Sequence, residues 1–270
     1  EKIAVCNEIL KDSKNELYLN LRFFDVALHS LAPEPSMSLS TAATDGAVYR
    51  YNPEYLIAQY KVGSVPVNRA YLHSILHCLF GHIWHRRAEE ELAYWNLACD
   101  IAAEEVINGL CLPCVTSGRQ REQQKTIEDL RKEIKQITAE KVYRWYQDHP
   151  PGNLSVLAEQ FRGDDHTPWY LPRTLASQAD SSETTQEVPV SMEAIWREIA
   201  QRMQIDLETF SKMRGDRAGN LTQNLREVNR ERYDYTAFLQ KFAVRGEVMR
   251  LNLDEFDYIF YTYGLQLYQR

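Results

Sequence analysis

Four of the chain's seven histidines fall in one short string, YLHSILHCLFGHIWHRR, at His73, His77, His82 and His85. His73 and His77 are four residues apart. On an α-helix such a pair stands about 40° apart, one turn above the other, so both imidazoles can converge on one metal ion. The rest of the string is apolar, and a histidine pair buried in it needs hydrogen-bond partners or a metal. On a regular helix His82 falls near the opposite face and is a poor third ligand, and His85 lies at the helix end. Ser74 follows the first histidine. In the HExxH zinc motif that position holds a glutamate, the general base for the metal-bound water. A serine hydroxyl does not do that work at neutral pH. It can hold a water or a phosphate.

A third ligand must come from another element. In WNLACDIAAEEVINGL, Asp100 and Glu104 lie one turn apart on one face of an otherwise apolar helix. Burying either without a partner is costly. A metal held by His73, His77 and Asp100 accounts for both anomalies. Glu104 or Glu105 is then a group that orients a ligand, or a displaced base. The same residues without a metal read as a polar network between two core helices.

The elements that must position these groups follow from periodicity. One buried helix is expected from about Val67 to Arg86. A second is expected from Trp95 to Leu110, capped by Asn96 and ended by Gly109. Upstream, Leu17, Leu21, Phe24 and Leu28 form the stripe of one or two amphipathic helices within residues 3–31. The prolines between Ala32 and Ser36 end that pattern. Asp45–Gly46 turns between short β-compatible runs, and Asn52–Pro53 opens a further helix. Residues 119–147 read as helix in one or two parts. Residues 148–190 are rich in turn formers and read as an irregular insertion or linker, with ASQADSSETTQE (176–187) as its disordered part. Residues 191–270 return to helix. The expected architecture is mainly α with a small β-sheet or hairpin, in three parts: 1–147, 148–190 and 191–270.

The blocks YLHSILHCLFGHIW and WNLACDIAAEEVIN together resemble the zincin-like metallopeptidase domain that precedes a von Willebrand factor A-like domain in bacterial proteins. The family's HExxH-type signature falls at His73 and His77, followed by Gly81–His82. Its Trp-Asn-x-Ala-x-Asp block falls at Trp95, Asn96, Ala98 and Asp100. The family's glutamate position is Ser74. The C-terminal string from Tyr233 to Gly264 resembles the connector into the von Willebrand-like domain. The resemblance implies a zincin-like core of two central helices, a zinc ion, and a MoxR-kind AAA+ ATPase as partner. It leaves three functions open. The first is a metal-binding domain of impaired catalysis that serves as a binding or assembly module. The second is an active zinc peptidase on a peptide or protein substrate, with Glu104 as base. The third is a metal-free helical interaction domain.

Composition narrows the field. The net charge of −7 over 270 residues argues against a general nucleic-acid surface. No apolar run reaches membrane-spanning length, and no signal peptide is visible, so a cytoplasmic protein is expected. An odd count of five cysteines fits a reducing compartment. Cys78 and Cys99 read as buried packing residues. Cys111-Leu-Pro-Cys114 lacks the second pair that a four-cysteine zinc site needs. The RGDD at Arg162–Asp165 reads as coincidence, and Arg214–Asn220 as a solvated loop.

Overall fold

A computed structural model of the chain describes residues 1–85, 87–170, 191–214 and 219–231. The N-terminal stripe forms α1 (Lys2–Asn20) and α2 (Asp25–His29), joined by a 3-10 turn, and Leu17, Leu21, Phe24 and Leu28 are all buried. The proline segment forms a strand, β1 (Ala32–Pro35), beside β3 (Val48–Tyr51), with β2 (Ala42–Thr44) on the other side. β1 runs parallel to β3 and β2 antiparallel, with Ala43 opposite Arg50. Pro33 and Pro35 are tolerated because β1 is an edge strand, where missing N–H donors cost little. The β2–β3 turn is held by Asp45, whose Oδ1 accepts from the amides of Ala47 (2.9 Å) and Val48 (3.0 Å). Gly46 takes the left-handed φ of +91° that this turn requires.

Asn52 caps α3 (Pro53–Val62), its Oδ1 accepting from the amides of Glu54 and Tyr55, with Pro53 at the first helical position. The histidine helix α4 is Ser64–Leu79. It stops about two turns short of the expected Arg86, because Gly81 adopts φ +72° and the chain turns into a 3-10 segment at His82–Trp84. The second central helix, α5 (Leu92–Leu110), starts a turn early and ends at Cys111, in the left-handed region at φ 51°. Asn96 therefore caps nothing. It accepts a hydrogen bond from the Tyr170 hydroxyl.

Residues 119–147 form α6 (Arg119–Glu133) and α7 (Ala139–Asp148). The stretch after them is less irregular than expected. It holds α8 (Leu154–Phe161) and α9 (Thr167–Tyr170). Then come α10 (Met192–Arg214) and α11 (Gly219–Glu231). The disordered segment expected at 176–187 and the connector from Tyr233 lie outside the described residues, as does most of the loop expected at Arg214–Asn220.

α4 and α5 pack on each other at the centre, α4 also against α1, α3 and α10, and α5 against α7 and α8. Every residue of α4 from Tyr71 to Leu79, and of α5 from Leu97 to Ile107, is buried. The five cysteines are free thiols, and Cys78 and Cys99 lie in the core as the pattern indicates. Among the described residues no helix is long and apolar enough to cross a membrane.

Candidate metal centre

His73 and His77 project from α4 toward α5, as their spacing requires. Their rings lie edge to face, centroids 4.5 Å apart. Asp100 meets them from α5: its Oδ1 is 3.0 Å from His73 Nε2 and 3.4 Å from His77 Nε2. The three residues chosen from the sequence therefore come together.

Two more donors arrive from the α8–α9 loop. His166 Nε2 lies 3.2 Å from Asp100 Oδ1 and 3.0 Å from Asp164 Oδ1, and Asp164 Oδ1 is 3.7 Å from His77 Nε2. His73, His77, Asp100, Asp164 and His166 each offer one atom to a group that spans no more than 4.8 Å, and all five are buried. The set could hold a metal ion. Asp164 and His166 carry no periodic signal in the sequence. Their signal is the local string RGDDH, where a glycine precedes two carboxylates and a histidine.

The loop is fastened at several points. Arg119 Nη2 donates to the carbonyls of Gln160 (2.9 Å) and Arg162 (2.8 Å). The amide of Asp165 donates to Ala42 O on the free edge of β2 at 2.7 Å. The Ser74 hydroxyl donates to Asp164 Oδ2 at 2.7 Å. The position that holds a glutamate in HExxH thus holds a group that anchors a carboxylate from elsewhere. Trp169 closes the site by stacking on the His166 ring at 3.7 Å and lying edge-on to His77 at 4.9 Å.

Gly163 matters because of this close approach. A Cβ there would lie 2.5 Å from His73 Cγ and Cδ2, well inside contact distance. Gly163→Ala is expected to push the loop outward, cost about 1–3 kcal/mol as an overpacked buried site does, and weaken ion retention. Thermal unfolding and metal content measured on one preparation check both effects.

Behind the donors lies a set of orienting groups. His73 Nδ1 is 2.9 Å from Glu104 Oε1. Glu104 Oε2 accepts from Arg69 Nε (3.1 Å) and Gln123 Nε2 (2.7 Å). Both Glu104 oxygens are occupied, so Glu104 is placed to fix the His73 ring rather than to stand free as a base. Glu105 turns away to Arg131, at 2.9 Å. His82, swung back by the Gly81 turn, sits with Nδ1 2.9 Å from His77 Nδ1, which leaves His77 Nε2 facing the cluster.

Electrostatics follow from burial and pairing. Burial alone pushes His73 down, but hydrogen bonds to Asp100 and Glu104 raise it to about 10. Burial likewise opposes charge on His166, and Asp100 and Asp164 overcome it, to about 9. His77 is lowered to about 4 by burial and by the neighbouring His73 charge. Despite the burial that raises carboxylates, Glu104 is held at about 2, by His73 and Arg69, and Asp164 at about 2, chiefly by His166. Asp100 is pushed well below its ordinary value by the surrounding imidazoles.

A mainly helical domain with a buried histidine–carboxylate cluster that could take a metal is the class that fold and site define. The chain belongs to the family described as a putative metallopeptidase domain, whose model matches residues 8–250. No curated protein and no solved structure matches the chain.

Proposed function

We propose that the chain is a metal-binding domain with a closed divalent-cation centre of His73, His77, Asp100, Asp164 and His166, and that it binds and assembles rather than hydrolyses. One observation carries the reading. Three buried donor atoms of this cluster, His77 Nε2, Asp164 Oδ1 and His166 Nε2, have no hydrogen-bond partner. His166 Nε2 nonetheless stands at ion-pair distance from both carboxylates, 3.2 Å from Asp100 Oδ1 and 3.0 Å from Asp164 Oδ1, so a cation would replace the proton that now balances their charge. Of the thirteen buried atoms without a hydrogen-bond partner among the described residues, these three converge with His73 and Asp100 within 4.8 Å, and donors gathered in that way suit a cation. The separations of 3.0–3.7 Å agree with the spacing of roughly 3.0–3.5 Å between ligands held at ~2.0–2.2 Å around one ion. Three imidazoles and two carboxylates suit a first-row ion such as zinc. Bound there, a divalent cation would supply the charge that cross-links the α8–α9 loop to α4 and α5.

Catalytic zinc sites keep a ligand position open, whereas structural sites are closed. Here five protein donors compete for the ion, the cluster is buried, Ser74 is no base, and Glu104 is fully engaged. This argues against turnover. A MoxR-kind ATPase remains the partner we propose, on the family resemblance alone. Purified without chelator, the protein is expected to carry one equivalent of metal, lost in His77→Ala, and to leave casein uncleaved. Failure to take up metal on reconstitution would sink the reading. Chelator-sensitive cleavage would establish the peptidase reading, which family membership favours.

Restoring the missing glutamate tests the closed geometry. Ser74→Glu places a second carboxylate against Asp164 in a fully buried position, and like charges there oppose one another. Metal affinity is expected to fall by about tenfold or more. Adding Asp164→Ser, which moves the carboxylate from loop to helix, is expected to recover part of that loss. A coupling of about 0.5–3 kcal/mol in the double-mutant cycle would show it. Additive effects would contradict the Ser74–Asp164 contact.

A further inference from the structure

Beside His73, a cavity of about 200 Å³ opens between α3, α4 and the start of α6. Its wall includes Tyr55, Arg69, His73, Glu104, Ser117 and Arg119. The two arginines differ. Arg69 is spent on Glu104, Asn108, Gln123 and the Val115 carbonyl. Arg119 uses only Nη2, on two backbone carbonyls, and no carboxylate of the described residues lies within ion-pair distance of it. Its Nε and Nη1 donors have no partner among the described residues. Ser117 Oγ, in the same wall, is buried without a hydrogen-bond partner.

We propose that this cavity binds the carboxylate of a small acid, with Arg119 as the cationic anchor and Ser117 as a second donor; the source is either a free organic acid or the C-terminus of a peptide. A guanidinium edge suits the planar carboxylate. Glu104 in the same wall disfavours a dianion. The volume accepts a terminal residue, not a folded chain. The site does not require an ion at the neighbouring centre.

Calorimetric titration with N-acetyl-alanyl-alanine, its C-terminal amide, propionate and inorganic phosphate tests the proposal. The free acid is expected to bind in the millimolar range or tighter and the amide not to bind. Arg119→Ala should weaken binding about tenfold or more. Because that variant also releases the carbonyls of Gln160 and Arg162, Ala70→Leu is the second probe. It fills the cavity from α4, leaves Arg119 in place, and should abolish binding with little change in melting temperature. Equal affinity for propionate and the dipeptide marks a free acid as the source, and tighter dipeptide binding marks a chain terminus. No binding of either acid, binding of the amide as tight as the acid, or phosphate bound in preference to both overturns the proposal. Metal content measured on the same samples keeps this result separate from the fate of the metal centre.

Discussion

Asp100→Asn is expected to strip the domain of its ion and to destabilise the ion-free protein as well. Asp100 is the hub of the cluster: its Oδ1 lies within 3.4 Å of the Nε2 atoms of His73, His77 and His166. Asparagine keeps the shape and removes the charge. In the ion-free protein two imidazolium groups then lose the carboxylate they share in a buried site. Breaking a buried charge pair by removing one partner costs about 3–5 kcal/mol. The same loss taken from ion binding is at least about a hundredfold in affinity. Glu105→Gln is the matched control, because Glu105 lies on the same helix but pairs with Arg131. Metal analysis and thermal unfolding with and without chelator should separate the two variants cleanly. Full metal content in Asp100→Asn would remove Asp100 from the centre.

What the sequence made legible was short-range. His73 and His77 share a face because four residues is about one helical turn, and Asp100 and Glu104 were conspicuous as charges in an apolar pattern. The two central helices followed from the same periodicity and the small sheet from the Asp45–Gly46 turn between β-compatible runs, whereas residues 119–147, readable as one helix or two, form two. Asp164 and His166 were not legible in this way. They sit in a short loop with no period of its own, between 64 and 93 residues from their partners, and their position is fixed by tertiary contacts. These are the Ser74 hydroxyl, the β2 edge, and the bare Cα of Gly163 against His73. His82 departs from its regular-helix position for a related reason. A regular helix carries it to the far face, whereas the left-handed turn at Gly81 returns it to His77. Ser74 looked like a loss when read alone. Beside Asp164 it is one half of a pair.

Ion uptake near neutral pH is expected to release about two protons, and affinity to rise about a hundredfold per pH unit between roughly pH 5 and pH 9. The ion-free cluster balances its charge with protons. His73 and His166, raised to about 10 and about 9, are imidazolium against the charges of Asp100 and Asp164, while His77, lowered to about 4, is neutral. A divalent ion brings the same two positive charges, so it can enter once those two protons leave. The stability of the chelated protein carries the opposite sign. A raised histidine stabilises fully below its unfolded value of about 6.5, and that contribution is lost as pH climbs through the folded values. Between about pH 4 and 6.5 the depressed His77 works the other way, because unfolding then takes up a proton. The chelated protein should therefore be most stable near pH 6.5 and lose stability toward pH 10, and bound metal should flatten that decline. Calorimetric titrations in buffers of different ionisation enthalpy count the protons, and melting curves across pH with and without chelator test the linkage. Uptake without proton release would place the ion away from His73 and His166.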